Sequence, residues 1–154
     1  MAKQRDRIRM SDEEVRDFLD GSRSLSVATL DKDGAPHLTT LWFAREGDTV
    51  LFETYGSSQK IVNLRRDPRI AVMCEDGETY GELRGVSITG TAEIIDSGPD
   101  LSRLMTFIIA RNMPDIPKDK LAEHAAQMAK KRVVVAVRPT KVISWDHSKL
   151  GQQS

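Results

Sequence analysis

The stretch "LFETYGSSQKIVNLRRDPRIAV", residues 51–72, decides how this chain is read. With Thr49 and Val50 before it, "TVLFETY" is rich in β-branched and aromatic residues, the mark of a strand. Ser57 or Ser58 can cap a helix through "QKIVNLRR". Asp67-Pro68 ends that helix after two turns at most, because proline disfavours helical backbone at its predecessor. "RIAV" then opens another strand.

The same stretch gathers Lys60, Arg65, Arg66 and Arg69 against Asp67 alone, in a chain whose 23 bases and 23 acids cancel. A local positive field means either a solvated helix face or a bound anion. The start of a helix offers unpaired N–H groups and partial positive charge, so two serine hydroxyls and Lys60 in the first turn are the parts of a phosphate site. Arg65 and Arg66 fit an exposed face as well. Ile61, Val62 and Leu64 are expected to pack on the rest of the molecule, leaving Lys60, Asn63 and Arg66 on a different side.

Outward from this stretch, strands dominate. "SLSVATL" (24–30) and "HLTTLWFAR" (37–45) alternate, and Asp33-Gly34 between them is a strong hairpin pair. "EGD" (46–48) turns the chain into "TVLFETY", giving an expected three-stranded meander. "RIAVMCE" (69–75) is a fourth strand, and residues 80–96 a fifth, with Gly85 and Gly90 as bulges or bends. "RVVVAVRP" (132–139) and "TKVISWDH" (140–147) read as two closing strands. Helical patterns are confined to three places: "MSDEEVRDFLDGS" (10–22), with Ser11 and Glu14 as a capping box and Val15, Phe18 and Leu19 as its buried stripe; residues 99–113, with Leu101, Leu104, Met105, Ile108 and Ile109 on one face; and residues 118–131.

Few helices among many short antiparallel strands imply a mainly β protein, a small barrel with flanking helices, and not a parallel α/β sheet. A single domain over residues 1–154 is expected, with 1–10 as a basic N-terminal arm and 148–154 as a C-terminal tail. Zero net charge argues against a general nucleic-acid binder. The longest apolar run, "VVVAV", is too short to span a bilayer, and no secretory pattern opens the chain, so no membrane association and a cytoplasmic location are expected. Cys74 is the single cysteine and reads as a small buried hydrophobe.

The usual glycine-rich nucleotide loops, zinc motifs and nucleophile elbow are missing, and no metal site is expected from three scattered histidines. His124 reads as a surface residue. His37 and His147, each near a strand end, stay open between solvated surface and proton transfer.

The quoted stretch, with "GVSITGTAEI" (85–94) and "WDHSKLG" (145–151), resembles the pyridoxamine 5′-phosphate oxidase-like, FMN-binding split β-barrel family over nearly the whole chain. The segments "PHLTTLWF", "SQKIVNLRRDPR" and "SWDHSKLG" look most like its actinobacterial branch, which uses the deazaflavin coenzyme F420 in place of FMN. The resemblance implies a homodimer with cofactor sites at the subunit interface. It places phosphate on Ser58 and Lys60, with Ser57, Gln59 and Asn63 beside them, and the ring and ribityl chain along Thr54 and the Leu38, Thr39, Thr40 strand. Trp145 and His147 would reach toward the partner's site from the last strand, and His37, Tyr80 and His147 are candidate proton donors. Two departures turn the reading from vitamin B6 oxidation: Gln59 stands where such oxidases carry arginine, and no arginine occurs in the C-terminal tail. The activity implied is hydride transfer from reduced F420 to an unsaturated or quinone-like small molecule. An FMN-dependent oxidase or flavin reductase, or a cofactor-binding protein without turnover, are the alternatives.

Overall fold

The turn pair Asp33-Gly34 forms the reversal its chemistry demands. In the computed structural model, which describes residues 3–152, Gly34 sits at φ 88° and its N–H donates to the Asp31 carbonyl. A residue without Cβ adopts that conformation at no steric cost. In chain order the elements are α1 (Gln4–Arg7), α2 (Asp12–Gly21), β1 (Leu25–Leu30), β2 (Pro36–Leu41), β3 (Ala44–Glu46), β4 (Thr49–Tyr55), α3 (Gln59–Arg66), β5 (Arg69–Asp76), β6 (Arg84–Ile95), α4 (Gly98–Asn112), α5 (Leu121–Ala129) and β7 (Arg132–Asp146). Short 3-10 turns lie at Tyr80–Glu82, Lys118–Lys120 and His147–Gln152.

The seven strands form one antiparallel sheet in the order β2-β1-β5-β6-β7-β4-β3. The expected three-stranded meander is therefore corrected. β4 pairs with β3 and β7 and never with β2. The run "HLTTLWFAR" breaks at Trp42-Phe43, because the Phe43 ring is fully buried and its carbonyl accepts from the Arg111 and Asn112 side chains instead of a neighbouring strand. β2 and β3 lie at opposite edges of the sheet yet are joined by two residues, so the sheet must curl until its edges nearly meet. That is a barrel with a split.

The two closing strands prove to be one, β7, running fifteen residues. Pro139 lies opposite Gly90 where the register shifts, so its missing N–H falls at a bulge. Gly85, expected at a bend, sits instead in regular pairing with Trp145. A Cβ there would lie 2.1 Å from the indole, so glycine is what admits the Trp145 ring.

β4 at Val50–Phe52 and β7 at Val133–Val137 are buried on both faces, which is why "VVVAV" is a run and not an alternation. Val50, Phe52, Val133, Val135 and Val137 face the barrel interior with Leu25, Val27, Ile61, Leu64 and Ile88. Leu51, Val134 and Ala136 face α4 and α5, meeting Leu101, Leu104, Met105, Ile108 and Ile109.

Of the expected N-terminal arm, residues 1 and 2 lie outside the described ones, and Ile8 to Met10 dock on the sheet. Ile8 and Met10 are buried, the Ile8 carbonyl accepts from Asp146 N–H, and Met10 N–H donates to Ser144 Oγ. Lys149 in the C-terminal turn donates to the Arg9 carbonyl and pairs with Glu14 at 2.8 Å. The expected tail's last residues, 153 and 154, lie outside the described ones. No helix among the described residues is long and apolar enough to cross a membrane.

Candidate functional site

The split defines a groove. β3 covers β4 only from Thr49 to Leu51, so Phe52–Tyr55 has no partner on that side, and β2 pairs with β1 alone. Between these two edges lies an open cavity of about 420 Å³ walled by Thr40, Trp42, Glu53, Thr54, Met128 and Arg132. Unpaired strand edges present backbone N–H and C=O groups, which suits a planar heterocycle with donors and acceptors on its rim. Arg132 in the wall is already engaged, 3.0 Å from Glu53 and 4.1 Å over the Tyr55 ring.

At one end of the barrel the chain leaves β4 and starts α3. Ser58 is the N-cap residue, yet its hydroxyl makes no capping bond; at 3.4 Å it accepts from Thr54 Oγ1. The amides of Ile61 and Val62 donate to the Ser58 carbonyl, while those of Gln59 and Lys60 find no acceptor among the described residues. Lys60 stands in this open first turn, 9% exposed, with no carboxylate partner among the described residues. Burial pulls its pKa below the ordinary lysine value. A cation withdrawn from water with no counter-ion among the described residues, beside two free amides and a hydroxyl whose proton is uncommitted, fits a phosphate-bearing group.

The charge excess around it divides. Arg65 pairs with Asp96, Arg69 with Asp67, and Arg66 donates to the Leu30 carbonyl and to Asn63. Arg66 thus meets only neutral oxygens, and Lys60 alone of the four has no side-chain partner among the described residues.

The packing of α3 corrects the expected sides. Val62 is half exposed, whereas Lys60 and Asn63 are buried. Asn63 decides this: its amide donates to Thr29 Oγ1 and Asp31 Oδ1, both at 3.0 Å, and its oxygen accepts from Gln59 Nε2 at 2.8 Å. The helix is seated on β1 by a satisfied polar network, which apolar spacing alone could not reveal.

Thr54, Ser58, Gln59, Lys60 and Asn63 are thus brought together, with Ser57 exposed at their side. On β2, Thr39 faces inward across from Val27, and Leu38 and Thr40 point the other way. His37 Nδ1 and Thr39 Oγ1 are buried without a hydrogen-bond partner. Orphaned buried atoms cost free energy unless a ligand or water meets them, so they too fit a polar ligand. His37 also borders an open cavity with Asp31, Lys32 and Gln59 at this end.

Tyr80, Trp145 and His147 lie elsewhere. β5 runs from the end of α3 to the loop bearing Tyr80, and its eight residues span roughly 25 Å at about 3.3 Å each. His147 sits with Tyr80 there, their ring centroids 4.6 Å apart. The groove residues Trp42, Glu53 and Arg132 escaped the sequence reading, although Glu53 is the one acid in "TVLFETY". Cys74 is buried, its thiol pushed up to about 11 by desolvation, so it is no nucleophile at neutral pH. No cluster of metal-ligating side chains occurs among the described residues.

Curled sheet, split groove and open-ended α3 together define a split β-barrel. The model of the pyridoxamine 5′-phosphate oxidase family matches residues 11–146, and the chain belongs to that family. Among solved structures it is similar to a conserved hypothetical protein of Mycobacterium tuberculosis, 43% identical over 97% of this chain and 93% of that one, with TM-score 0.89. It shares the fold of an F420 reductase, at 24% identity over 86% and 98% of the two chains and TM-score 0.64. The same holds for an FAD-binding protein of Mycobacterium smegmatis, at 18% identity over 89% and 95% and TM-score 0.62. No curated protein matches the sequence.

Proposed function

We propose that the chain is a cytoplasmic F420-dependent oxidoreductase that works as a homodimer and reduces an unsaturated or quinone-like small molecule. The observation that carries this reading is Lys60, an almost buried cation without a counter-ion at the open start of α3 and beside the groove. Lys60, the amides of Gln59 and Lys60, and the Ser58 hydroxyl hold the cofactor phosphate. Thr54 and Thr39 meet the ribityl chain, and the free edge of β2 meets the polar rim of the ring. Reduced F420 supplies the hydride; the chain supplies anchoring, orientation and a shaped wall.

The preference for F420 over FMN rests on Gln59. Its amide is engaged by Asn63, so the helix start offers one cation to the phosphate and not two. The F420 reductase that shares the fold supports the same choice. The homodimer is favoured by the outward face of β2, β1 and β5, where Leu38 is 70% exposed beside half-buried Ala28, Ala71 and Met73. An apolar face of that kind on an open sheet suits a second copy.

Titration with F420, followed by the coenzyme's fluorescence, tests the reading: saturation at micromolar concentration is expected. Purification as a yellow protein with a flavin spectrum and no response to F420 would replace F420 by FMN. Binding without turnover of any quinone or enone would leave a cofactor carrier.

A further inference from the structure

A further cavity lies outside the groove. It encloses about 240 Å³ between α2, the Gly47-Asp48 turn and the middle of β7. Val15, Leu19, Ile88, Pro139 and Val142 give it an apolar floor. Ile88 and Val142 pair across β6 and β7, and the face of β7 that carries Val142 also carries Ser144, which is buried. Val142 on that same inward face is 48% exposed. α2 therefore leaves the inner surface of the barrel partly uncovered there. The bulge adds to the opening: Thr89 pairs with Lys141 and Gly90 with Pro139, so Thr140 has no partner on β6 and β7 bends at the cavity rim. Along β7 the stretch from Arg132 in the groove to Pro139 spans roughly 23 Å at about 3.3 Å per residue, so the cavity does not continue the groove.

Its mouth carries both signs of charge. Asp12, Val15, Arg16 and Leu19 recur at helical spacing on one face of α2, so two charged and two apolar side chains share a wall. Arg45 is a fixed part of that wall: Asp20 accepts from it at 2.6 and 2.9 Å and the Gly47 carbonyl at 2.7 Å. Its charge is already matched. Arg16 is held differently. Its guanidinium lies 3.5 Å from Asp48 without a hydrogen bond, and neither side chain is hydrogen-bonded to any other group among the described residues. Exposed pairs of this kind contribute little and exchange partners readily. Asp12 and Lys141 border the same mouth and keep it neutral as a whole. A neutral mouth gives no advantage to a plain anion or cation, whereas a zwitterion meets both signs. An arginine fork and a carboxylate left unsatisfied over an apolar floor match a molecule with one carboxylate, one ammonium and one apolar side chain.

We propose that this cavity binds a free apolar α-amino acid, its carboxylate on Arg16, its ammonium on Asp48 and its side chain against Val15, Leu19, Ile88 and Val142. The volume suits it: a cavity of about 150 Å³ holds benzene, and the larger space here takes a phenylalanine-sized side chain with its charged head at the mouth. The site stands apart from Lys60 and does not depend on the function proposed above.

Calorimetric titration of the full chain with L-phenylalanine, L-phenylalaninamide and 3-phenylpropionate tests it. The amide lacks the carboxylate and the propionate lacks the ammonium. Phenylalanine saturates the protein below about 10 mM, and each of the other two binds about tenfold more weakly, the lower end of the worth of one charged hydrogen bond. Arg16→Gln lowers phenylalanine affinity about tenfold and leaves that of phenylalaninamide unchanged. Asp48→Asn does the same to phenylalanine and leaves 3-phenylpropionate unchanged. In each case the unaffected ligand shows that the variant is folded. Val142→Trp fills the floor at an exposed position, abolishes binding of all three and keeps a cooperative thermal transition. Lys60→Met leaves all three affinities as they are. Equal affinities for the three ligands, no binding of phenylalanine at that concentration, phenylalanine binding that survives Val142→Trp, or binding lost in Lys60→Met overturns the inference. The titrations contain no F420, so failure of F420 to bind overturns the proposed function alone.

Discussion

Three helices among the described residues begin at a serine, Ser11, Ser58 and Ser97, and the first two begin in opposite ways. At the start of α2, Ser11 Oγ accepts from the Glu14 amide at 3.1 Å and Glu14 returns a bond to the Ser11 amide at 2.9 Å, with Asp12 and Glu13 adding negative charge to the first turn. At the start of α3, Ser58 caps nothing, no acid stands in the first turn, and Lys60 occupies it. The first helix closes its own N-terminus and offers nothing to a ligand. The second leaves donors and a positive end open, at a cost in stability, where β4 delivers it to the groove. The contrast separates a residue pattern that closes a helix end from one that leaves it open, as the proposed binding role requires.

The sharpest way to break the contrast is at Lys60. Lys60→Met should weaken F420 binding by about 30- to 100-fold, the worth of a charge-assisted bond to phosphate. The same change should raise the melting temperature of the ligand-free protein, because it removes a buried unpaired charge. Fluorescence titration and calorimetry read the two effects, and a fall in both would show that Lys60 is structural.

Gln59→Glu makes α3 more like α2. An acid in the first turn should stabilise the helix by about 0.3–1 kcal/mol and oppose the phosphate, lowering cofactor affinity about tenfold.

The two serines should then exchange roles. Ser11→Ala should cost about 1 kcal/mol of stability with cofactor affinity unchanged. Ser58→Ala should leave stability unchanged and lower affinity about fivefold. Chemical denaturation beside the binding titration decides between them.

Alkaline pH gives a smaller effect. The folded-state pKa of Lys60 is depressed by burial, so the lysine loses its proton below the pH at which an ordinary lysine does. The ligand-free fold is therefore relatively favoured as pH climbs from that depressed pKa to the ordinary one, while phosphate binding weakens across the same window. Lys60→Met should abolish this alkaline loss of affinity. The smallest effect belongs to Arg65, Arg66 and Arg69: their exposed pairings with Asp96, the Leu30 carbonyl and Asp67 leave little to gain, so replacing each by Gln should change affinity less than about twofold.

Much of this was legible in the residues. The capping box at Ser11, the turn at Gly34, the helix between two serines and Asp67-Pro68, and the lysine in its first turn are all local signals, carried by neighbours within four positions. Such signals survive translation from sequence because backbone geometry alone enforces them. Pro139 misled for the opposite reason: a proline reads as a strand break until its partner Gly90, far away in the chain, supplies the bulge that accommodates it.

By itself, then, the sequence determined the strand-rich class, the places of α2, α3 and α4 to within two residues, and the lysine in the first turn of α3. Tertiary structure alone decided that β2 and β3 part to opposite edges and leave a split. It also decided that Asn63 turns inward to Thr29 and Asp31, that Arg65 and Arg69 pair with carboxylates and Arg66 with a carbonyl and an amide while Lys60 finds no partner among the described residues, and that Tyr80 and His147 lie a barrel's length from Lys60. The physical reason is range. Capping and turn formation act between adjacent residues, whereas charge matching, burial and strand order depend on which distant segments the curled sheet brings into contact.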